Sequence, residues 1–236
     1  AFERAGFKNA VQVFDYTDSL AQVGDDMGYS VLTYSASTKA NAMGPSVIDP
    51  RTGEILEADI IWWHNVQSLI SEWIMVQTGA QNPEARSLRL PEELIGDAVR
   101  FVACHEVGHS LGLRHNMIAS NAYSTDSLRS ASFTARMGGT SASIMDYARF
   151  NYVAQPGDGV KVMSPNIGPY DLMAIEWAYR WYPKGTNEKK KLNDFLKKHT
   201  GKLYKYMEAQ SQRTAIDPRA LSEDLGDDAV KSARYG

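Results

Sequence analysis

Apolar and polar residues alternate in short runs along the first sixty positions, and this alternation predicts β-strands. The predicted strands are residues 10–14, 29–34 and 55–63. The first residues, AFERAG, are predicted to be the end of a helix already under way, which stops at Gly6. Residues 41–48 form a further extended arm, followed by the turn residues Pro50 and Gly53. The pattern therefore predicts that a sheet precedes the long helices.

Later apolar positions recur mainly at helical spacing. Pro91 and the two glutamates after it predict the start of a long helix that can run to Gly112, since proline suits the first turn and acids complement the helix dipole. Two more helices are predicted, at residues 168–183 and 187–198. Two segments lack a clear pattern: residues 65–78, which fit a helix or a strand, and residues 116–139, which resemble a long irregular segment rich in Ser, Ala and Thr.

The stretch HEVGHSLGLRH, residues 105–115, combines residues that suit a zinc site. His105 and His109 are four residues apart, so on a helix they lie on one face and can bind one ion. If the helix continued, His115 would fall about 240° around from His109, on the wrong face. Gly112 lies where the helix must end, and it lets the chain turn back so that His115 becomes the third ligand.

Three histidine ligands predict a particular chemistry. They leave zinc its full positive charge and one open position, where the ion can acidify water and polarise a carbonyl group. Glu106 is offset by about 100° from His105 on the helix, so it suits the role of general base better than that of ligand. The motif therefore predicts one catalytic zinc ion held by His105, His109 and His115, with Glu106 as the base.

The complete pattern, H-E-x-x-H-x-x-G-x-x-H, resembles the signature of the metzincin clan of zinc endopeptidases, in which a methionine turn follows. SIMDY, residues 143–147, resembles that turn. The resemblance implies that Met145 forms an apolar floor under the histidines. It also implies that Tyr147, like the tyrosine of astacins and serralysins, stabilises negative charge on the substrate carbonyl oxygen.

The same resemblance implies an α+β, metzincin-like catalytic domain with a mixed twisted sheet, a long zinc-binding helix and a C-terminal helical subdomain after the methionine turn. We expect three parts: an N-terminal subdomain with the sheet and active-site helix (1–112), a C-terminal subdomain with the third ligand, methionine turn and closing helix (113–183), and a helical extension (184–236). In this clan an antiparallel edge strand pairs with an extended substrate. Residues 42–48 are the best candidate, with an ordinary hairpin as the alternative.

Composition supports a globular domain. The 236 residues are 43% hydrophobic, enough to bury a sizeable core. A net charge of −3 gives no case for binding nucleic acid or an anionic membrane surface. No apolar run approaches the length of a membrane span, and no signal peptide is visible. The one cysteine, Cys104, precludes an internal disulfide, and we interpret it as a packing residue.

Taken as a whole, the chain resembles the catalytic domain of the large zinc-dependent metalloproteases of Bacteroidetes. The stretches that carry this resemblance are AFERAGFKNA, DPRTGEI, HEVGHSLGLRHN, SIMDYARFNYVAQPGD and DPRALSEDLGDD. Asn116, directly after the third histidine, departs from the better-known metzincin families and favours a separate branch. The resemblance implies flanking domains of a longer polypeptide, a protein or peptide substrate, and a secreted, periplasmic or cell-surface location.

Two other functions fit the same residues. One is a catalytically silent, zinc-containing module that binds peptides, and the other is a zinc hydrolase of a non-protein amide such as a cell-wall peptide. A gluzincin site would leave Gly112 and His115 unexplained. Outside the motif, we interpret His64 as a structural residue. We interpret three acidic residues as a helix start or linker rather than a calcium site: Asp224, Asp227 and Asp228.

Overall fold

The computed structural model of the chain describes residues 1–15, 17, 26–211 and 213–236. The chain forms two compact units, Val13–Arg114 on the one hand and Ala1–Gln12 with His115–Gly236 on the other. The first unit contains every strand found in the described residues, and the second is helical. The fold is therefore mixed, with a small sheet, which confirms the α+β prediction at this level. The three-part division at residues 112 and 183 stays a prediction.

The strands are short. They are β1 (Leu32–Ser35), β2 (Ala42–Met43), β3 (Val47–Ile48), β4 (Ile55–Glu57) and β5 (Ile60–Trp63). β5 is the middle strand of a three-stranded sheet, parallel to β1 on one side and antiparallel to β2 on the other. β3 and β4 pair as a separate antiparallel hairpin. The predicted arm of residues 42–48 thus divides into β2, an antiparallel strand at one end of its sheet, and β3.

The helices account for most of the remaining regular structure. They are α1 (Phe2–Ala5), α2 (Val66–Thr78), α3 (Glu92–Ser110), α4 (Thr125–Leu128), α5 (Ala131–Met137), α6 (Pro169–Tyr179), α7 (Glu188–Lys197) and α8 (Ala229–Ala233). Short 3-10 helices lie at Pro83–Arg86, Ser120–Ala122 and Lys202–Tyr204. In the part of the chain that the structure describes, no helix combines the length and the hydropathy needed to cross a bilayer.

In the first unit, α3 packs against α2 and against strands β2 and β5. The ambiguous residues 65–78 form a helix because their apolar positions share one face: Val66, Ile70 and Ile74 are all buried. α3 buries Ala98, Phe101 and His105 at helical spacing. In this unit α3 therefore packs against both a helix and the three-stranded sheet.

In the second unit, a cluster of buried apolar residues forms the core: Ala119, Tyr123, Leu128, Ala142, Ala148, Val153 and Leu225. α1 packs against α6, with the rings of Phe2 and Tyr179 5.0 Å apart. The helix ends at Gly6 as predicted, and Gly6 adopts the left-handed conformation (φ 100°) that is common at helix ends. Phe2, near the beginning of this unit's sequence, and Leu225, near its end, therefore both contribute to its packing.

Three predictions of secondary structure were wrong. Residues 55–63 form two strands, β4 and β5, which lie in different sheets, rather than one strand. Residues 10–14 form no strand, and Val13 and Phe14 are 92% and 73% exposed. An alternating pattern stabilises a strand only where its apolar side chains pack against a core and its backbone pairs with a neighbouring strand. Residues 116–139 are not irregular throughout, since they contain α4 and α5. Their serines are helix caps: Ser124 Oγ accepts from Ser127 N–H and Ser130 Oγ from Phe133 N–H.

Candidate metal centre

The end of α3 is a sharp, hydrogen-bonded stop. Gly112 has φ 81°, and its N–H donates to the carbonyl oxygen of His109 at 2.9 Å. The N–H of Leu113 donates to the carbonyl oxygen of Gly108 at 3.0 Å. This pair of bonds is the Schellman motif, which needs a residue with positive φ and therefore favours glycine. The predicted stop at Gly112 is confirmed, and the chain leaves the helix three residues before His115.

The structure brings the three predicted ligands together. The rings of His105 and His109 have centroids 4.8 Å apart and lie almost perpendicular to each other, at 84°. One ligand atom from each of His105, His109 and His115 lies within 4.8 Å of the others. His109 Nδ1 is 2.9 Å from the carbonyl oxygen of Leu113, to which an Nδ1–H donates. That bond keeps the lone pair on Nε2, where a metal can use it.

This donor set fits zinc. Zinc binds histidine nitrogen at about 2.0–2.1 Å, so two nitrogens on one tetrahedral ion are roughly 3.3 Å apart. Side-chain rotations can close the remaining distance between atoms within 4.8 Å of one another. Three histidine ligands without a cysteine are typical of catalytic rather than structural zinc sites.

Glu106 is buried beside the first histidine, and the glycine that follows β2 contacts it. The Gly44 N–H, one residue beyond β2, donates to the Glu106 carboxylate. Burial raises the pKa of Glu106 to about 6, and the Gly44 hydrogen bond opposes that rise. A Cβ added to Gly44 would lie 2.9 Å from the carbonyl oxygen of Glu106, so only glycine permits this approach without a shift. Sequence reasoning did not identify Gly44, although a glycine inside a predicted strand is a signal of close backbone approach.

Met145 lies in a turn that two buried polar residues hold in place. Asp171, near the start of α6, accepts hydrogen bonds from Ser143 Oγ and from the backbone N–H of Ile144, at 2.6 and 2.7 Å. The N–H of Asn116 donates to the carbonyl oxygen of Met145 at 3.0 Å, so the Met145 backbone bonds the residue directly after His115. The Met145 side chain is fully buried. Its role as a floor under the histidines stays a prediction.

Tyr147 lies next to the third histidine. The centroids of the Tyr147 and His115 rings are 4.6 Å apart, with the ring planes tilted by 59°. Tyr147 was selected in the sequence from its offset to Met145, and in the structure its ring contacts that of His115. Its catalytic role stays a prediction.

The other residues that were named in the sequence analysis are described here by their hydrogen bonds and burial. His64 is exposed, and its Nδ1 and the Tyr34 hydroxyl form a hydrogen bond; its structural role stays a prediction. Cys104 is half-buried. Asp228 caps the start of α8 by accepting from the N–H of Lys231 at 2.9 Å, which agrees with a helix start. Asp224 is buried and accepts from Ser120 Oγ, and Asp227 accepts from the N–H of Thr125.

Comparison with known families adds an independent finding. Residues 87–236, more than half of the chain, match the profile of a protein family described as Met-zincin. The matched range contains α3, the three clustered histidines, Glu106 and Met145. No curated protein and no solved structure matches the chain.

Proposed function

Because the chain belongs to the Met-zincin family, we propose that it is a zinc-dependent endopeptidase that hydrolyses peptide bonds in proteins or peptides. The family and the three close histidines indicate a zinc-metallopeptidase-like domain. One observation carries it: the ligand atoms of His105, His109 and His115 lie within 4.8 Å of one another. A carboxylate, Glu106, is buried directly beside the first of them.

The residues have separate tasks in this proposal. His105, His109 and His115 hold one zinc ion, which when bound acidifies water and polarises the carbonyl group of the peptide bond. Glu106 takes a proton from the attacking water and passes it to the departing amine nitrogen. The Gly44 N–H holds the Glu106 carboxylate in position for both transfers. The Tyr147 hydroxyl donates a hydrogen bond to the negative charge that develops on the carbonyl oxygen.

The substrate in this proposal is an extended peptide. β2 pairs with β5 along one edge, and its position at the end of the three-stranded sheet supports pairing of a peptide with its other edge. Main-chain hydrogen bonds of this kind hold a peptide straight and are compatible with many sequences. The resemblance to large metalloproteases of Bacteroidetes supports a secreted, periplasmic or cell-surface location within a longer polypeptide, which we include in the proposal.

The substitution Glu106→Gln tests the reaction. Gln keeps the size of Glu and can still accept from the Gly44 N–H, but it cannot take a proton from water. We expect kcat to fall by a factor of roughly 10²–10⁴, as for loss of a general base, with zinc content unchanged. Cleavage of a proteome-derived peptide library, followed by mass spectrometry, measures turnover. The matched control is Glu93→Gln, in the exposed first turn of the same helix, which should keep the parent rate.

The same assay distinguishes the alternatives. Turnover by Glu106→Gln equal to the parent rate would refute the proposed mechanism. Zinc binding without cleavage of any peptide would favour a silent peptide-binding module. Cleavage of cell-wall peptides alone, identified from the product masses, would favour a hydrolase of non-protein amides.

A further inference from the structure

Two side chains of the same unit, the imidazole of His115 and the guanidinium of Arg149, lie against the Tyr147 ring. The centroid of the His115 ring is 4.6 Å from the centroid of the Tyr147 ring. The guanidinium carbon of Arg149 lies 4.6 Å from the same centroid, within the range of a cation–π interaction. A planar guanidinium that lies over a phenol ring opposes rotation about the Cα–Cβ bond of the tyrosine, which is the rotation that would move its hydroxyl group. Arg149 is therefore placed to determine where the Tyr147 hydroxyl points.

Arg149 is in turn held by Glu223, which lies 74 residues later in the chain. Arg149 Nε and Nη2 donate to the two carboxylate oxygens of Glu223, at 2.5 and 2.6 Å. This two-point pairing fixes the orientation of the guanidinium as well as its position. The backbone N–H of Glu223 also donates to the carbonyl oxygen of Tyr147 at 3.1 Å. Glu223 thus holds the backbone of Tyr147 directly and its ring through Arg149.

The backbone at both charged residues is in a conformation that residues with a side chain rarely adopt. Arg149 has φ 55° and Glu223 has φ 68°, both in the left-handed region. Such conformations persist only where the surroundings hold them, and they cluster at functional sites. The two residues that form the ion pair are therefore each held in a disfavoured backbone conformation.

The residues that follow Glu223 anchor it to the same unit. Asp224 accepts a hydrogen bond from Ser120 Oγ at 3.2 Å. The N–H of Leu225 donates to the hydroxyl of Tyr152 at 3.1 Å, and the Leu225 side chain is fully buried. Glu223 is consequently part of a packed segment, although its own side chain is half exposed.

We propose that Arg149, held by Glu223, is a positioning residue that orients the Tyr147 hydroxyl for catalysis. The inference rests on the proposed endopeptidase function, in which that hydroxyl stabilises the substrate oxygen. It extends the support of Tyr147 to Glu223, which lies in the predicted C-terminal extension. Neither Arg149 nor Glu223 contacts the reacting atoms in this scheme, because both act through Tyr147.

Kinetics of three variants test the proposal. Glu223→Gln removes the charge from the pair, and Arg149→Lys keeps the positive charge but loses the two-point geometry. In both, we expect kcat to fall about tenfold or more with KM nearly unchanged, because a misplaced donor costs transition-state stabilisation. The control is Asp158→Asn. It breaks an equivalent two-point pair with Arg129, at 2.7 and 2.8 Å, and Arg129 likewise stacks on a tyrosine, Tyr235. Asp158→Asn should keep the parent kcat.

A spectroscopic measurement separates positioning from general loss of stability. The protein is labelled with fluorotyrosine, and the ¹⁹F resonance of Tyr147 is assigned by its loss in Tyr147→Phe. We expect this resonance to shift and broaden in Glu223→Gln, in zinc-free and zinc-loaded protein alike, and to stay unchanged in Asp158→Asn. In the Tyr147→Phe background, adding Glu223→Gln should lower kcat no further, because the group that it positions is gone.

The outcomes are distinct. A parent-like Tyr147 resonance in both Glu223→Gln and Arg149→Lys would overturn the positioning role, and so would a parent-like kcat in both. Additive losses of kcat in the double variant with Tyr147→Phe would also overturn it, since they indicate a structural effect. If the parent protein cleaves no peptide, the proposed function fails, while the Tyr147 resonance still decides whether the pair positions the ring.

Discussion

Asn116, directly after the third histidine, shows what a single side chain contributes to this site. It is fully buried, its Oδ1 accepts from the N–H of Met207 at 3.0 Å, and its Nδ2 donates to the carbonyl oxygen of Lys205 at 2.9 Å. Its backbone N–H bonds the carbonyl oxygen of Met145. The amide nitrogen donates while the amide oxygen accepts, whereas a carboxylate of the same shape could only accept. The residue at position 116 thus has a structural role, because its amide joins Met207 and Lys205 to the segment after the third histidine.

We predict that Asn116→Asp destabilises the protein by about 2–4 kcal/mol, because a buried carboxylate loses the donor to Lys205 and brings a charge into the interior. Urea unfolding measures this loss. Asn193→Asp, at an exposed position of α7, is the control and should change the free energy of unfolding by less than about 0.5 kcal/mol. Equal unfolding midpoints for parent and Asn116→Asp would contradict the hydrogen-bonding account.

Gly44 gives a second prediction for a single residue. In Gly44→Ala the new Cβ meets the backbone carbonyl oxygen of Glu106 at 2.9 Å, so strand and helix must move apart. We expect kcat/KM for peptide cleavage to fall by roughly 10–100-fold, as for other small misplacements of a catalytic group. Gly96→Ala, on α3 with no atom near the added Cβ, is the control. It should keep full activity and increase stability by about 0.4–1 kcal/mol. Parent activity in Gly44→Ala would mean that this contact does not hold Glu106.

The elements of the site depend on how they end. α3 ends in a Schellman motif at Gly112, three residues before His115, so the conformation of one glycine directs the chain toward the third histidine. The turn with Met145 is held by Asp171 near the start of α6, which also accepts from the N–H of Gly168 at 2.7 Å. Both cases satisfy backbone groups that helix ends leave without partners.

We predict that Gly112→Ala weakens zinc binding. Alanine at φ 81° costs about 1–2 kcal/mol, and its Cβ would lie 3.3 Å from Ile55 Cδ1. If the helix end shifts to relieve this strain, His115 moves with it, and competition with a chelator should report a zinc affinity lower by about tenfold or more. Gly138→Ala is the matched control, with φ 72° at the end of α5 and open space around the added Cβ. It should lose similar stability and keep its zinc affinity. Equal zinc affinities in both variants would contradict the prediction.

At the scale of the whole molecule, several carboxyl groups are buried and should make stability depend on pH. Burial raises the pKa of Asp171 and of Asp224 to about 6, and raises that of Asp146 well above its usual range. Each of these groups binds a proton more tightly in the folded protein than in the unfolded chain. The stability that they contribute is therefore present below about pH 4 and is lost as pH rises through about 6.

We predict that Asp224→Asn reduces this dependence. Its amide oxygen can still accept from Ser120 Oγ, but it no longer titrates or raises the pKa of Asp146. Between pH 4 and pH 7, the parent should lose about 1–3 kcal/mol more stability than the variant. Denaturant unfolding at a series of pH values measures the difference, and identical pH profiles would contradict it.

Asp217→Asn is a control for the same experiment, because the pKa of Asp217 is shifted in the opposite direction from that of Asp224. Hydrogen bonds from Arg219 lower the pKa of Asp217 to about 2, so its contribution to stability is present above about pH 4 and is lost as pH falls toward 2. The change of stability with pH should therefore differ between this variant and the parent only in the acid range, below about pH 4.

Several features follow from local chemistry and were predicted from the sequence. The histidine spacing, the stop at Gly112 and the turn with Pro50 and Gly53 each depend on a few neighbouring residues, and the structure agrees with them. The start of α3 after Pro91 and that of α8 after Asp228 are similar cases. In each, the preferred backbone conformation or the nearest hydrogen-bond partner lies within a few positions along the chain.

Other features were decided only by tertiary structure. The amide of Asn116 bonds a residue 91 positions away, and Arg149 pairs with one 74 positions away. The alternating residues 10–14 were expected to form a strand, but no strand among the described residues pairs with them. Gly44 matters because β2 approaches α3 closely. Long-range partners cannot be read from local pattern, because many polar residues are chemically equivalent candidates and only the folded chain determines which of them lie within hydrogen-bonding distance.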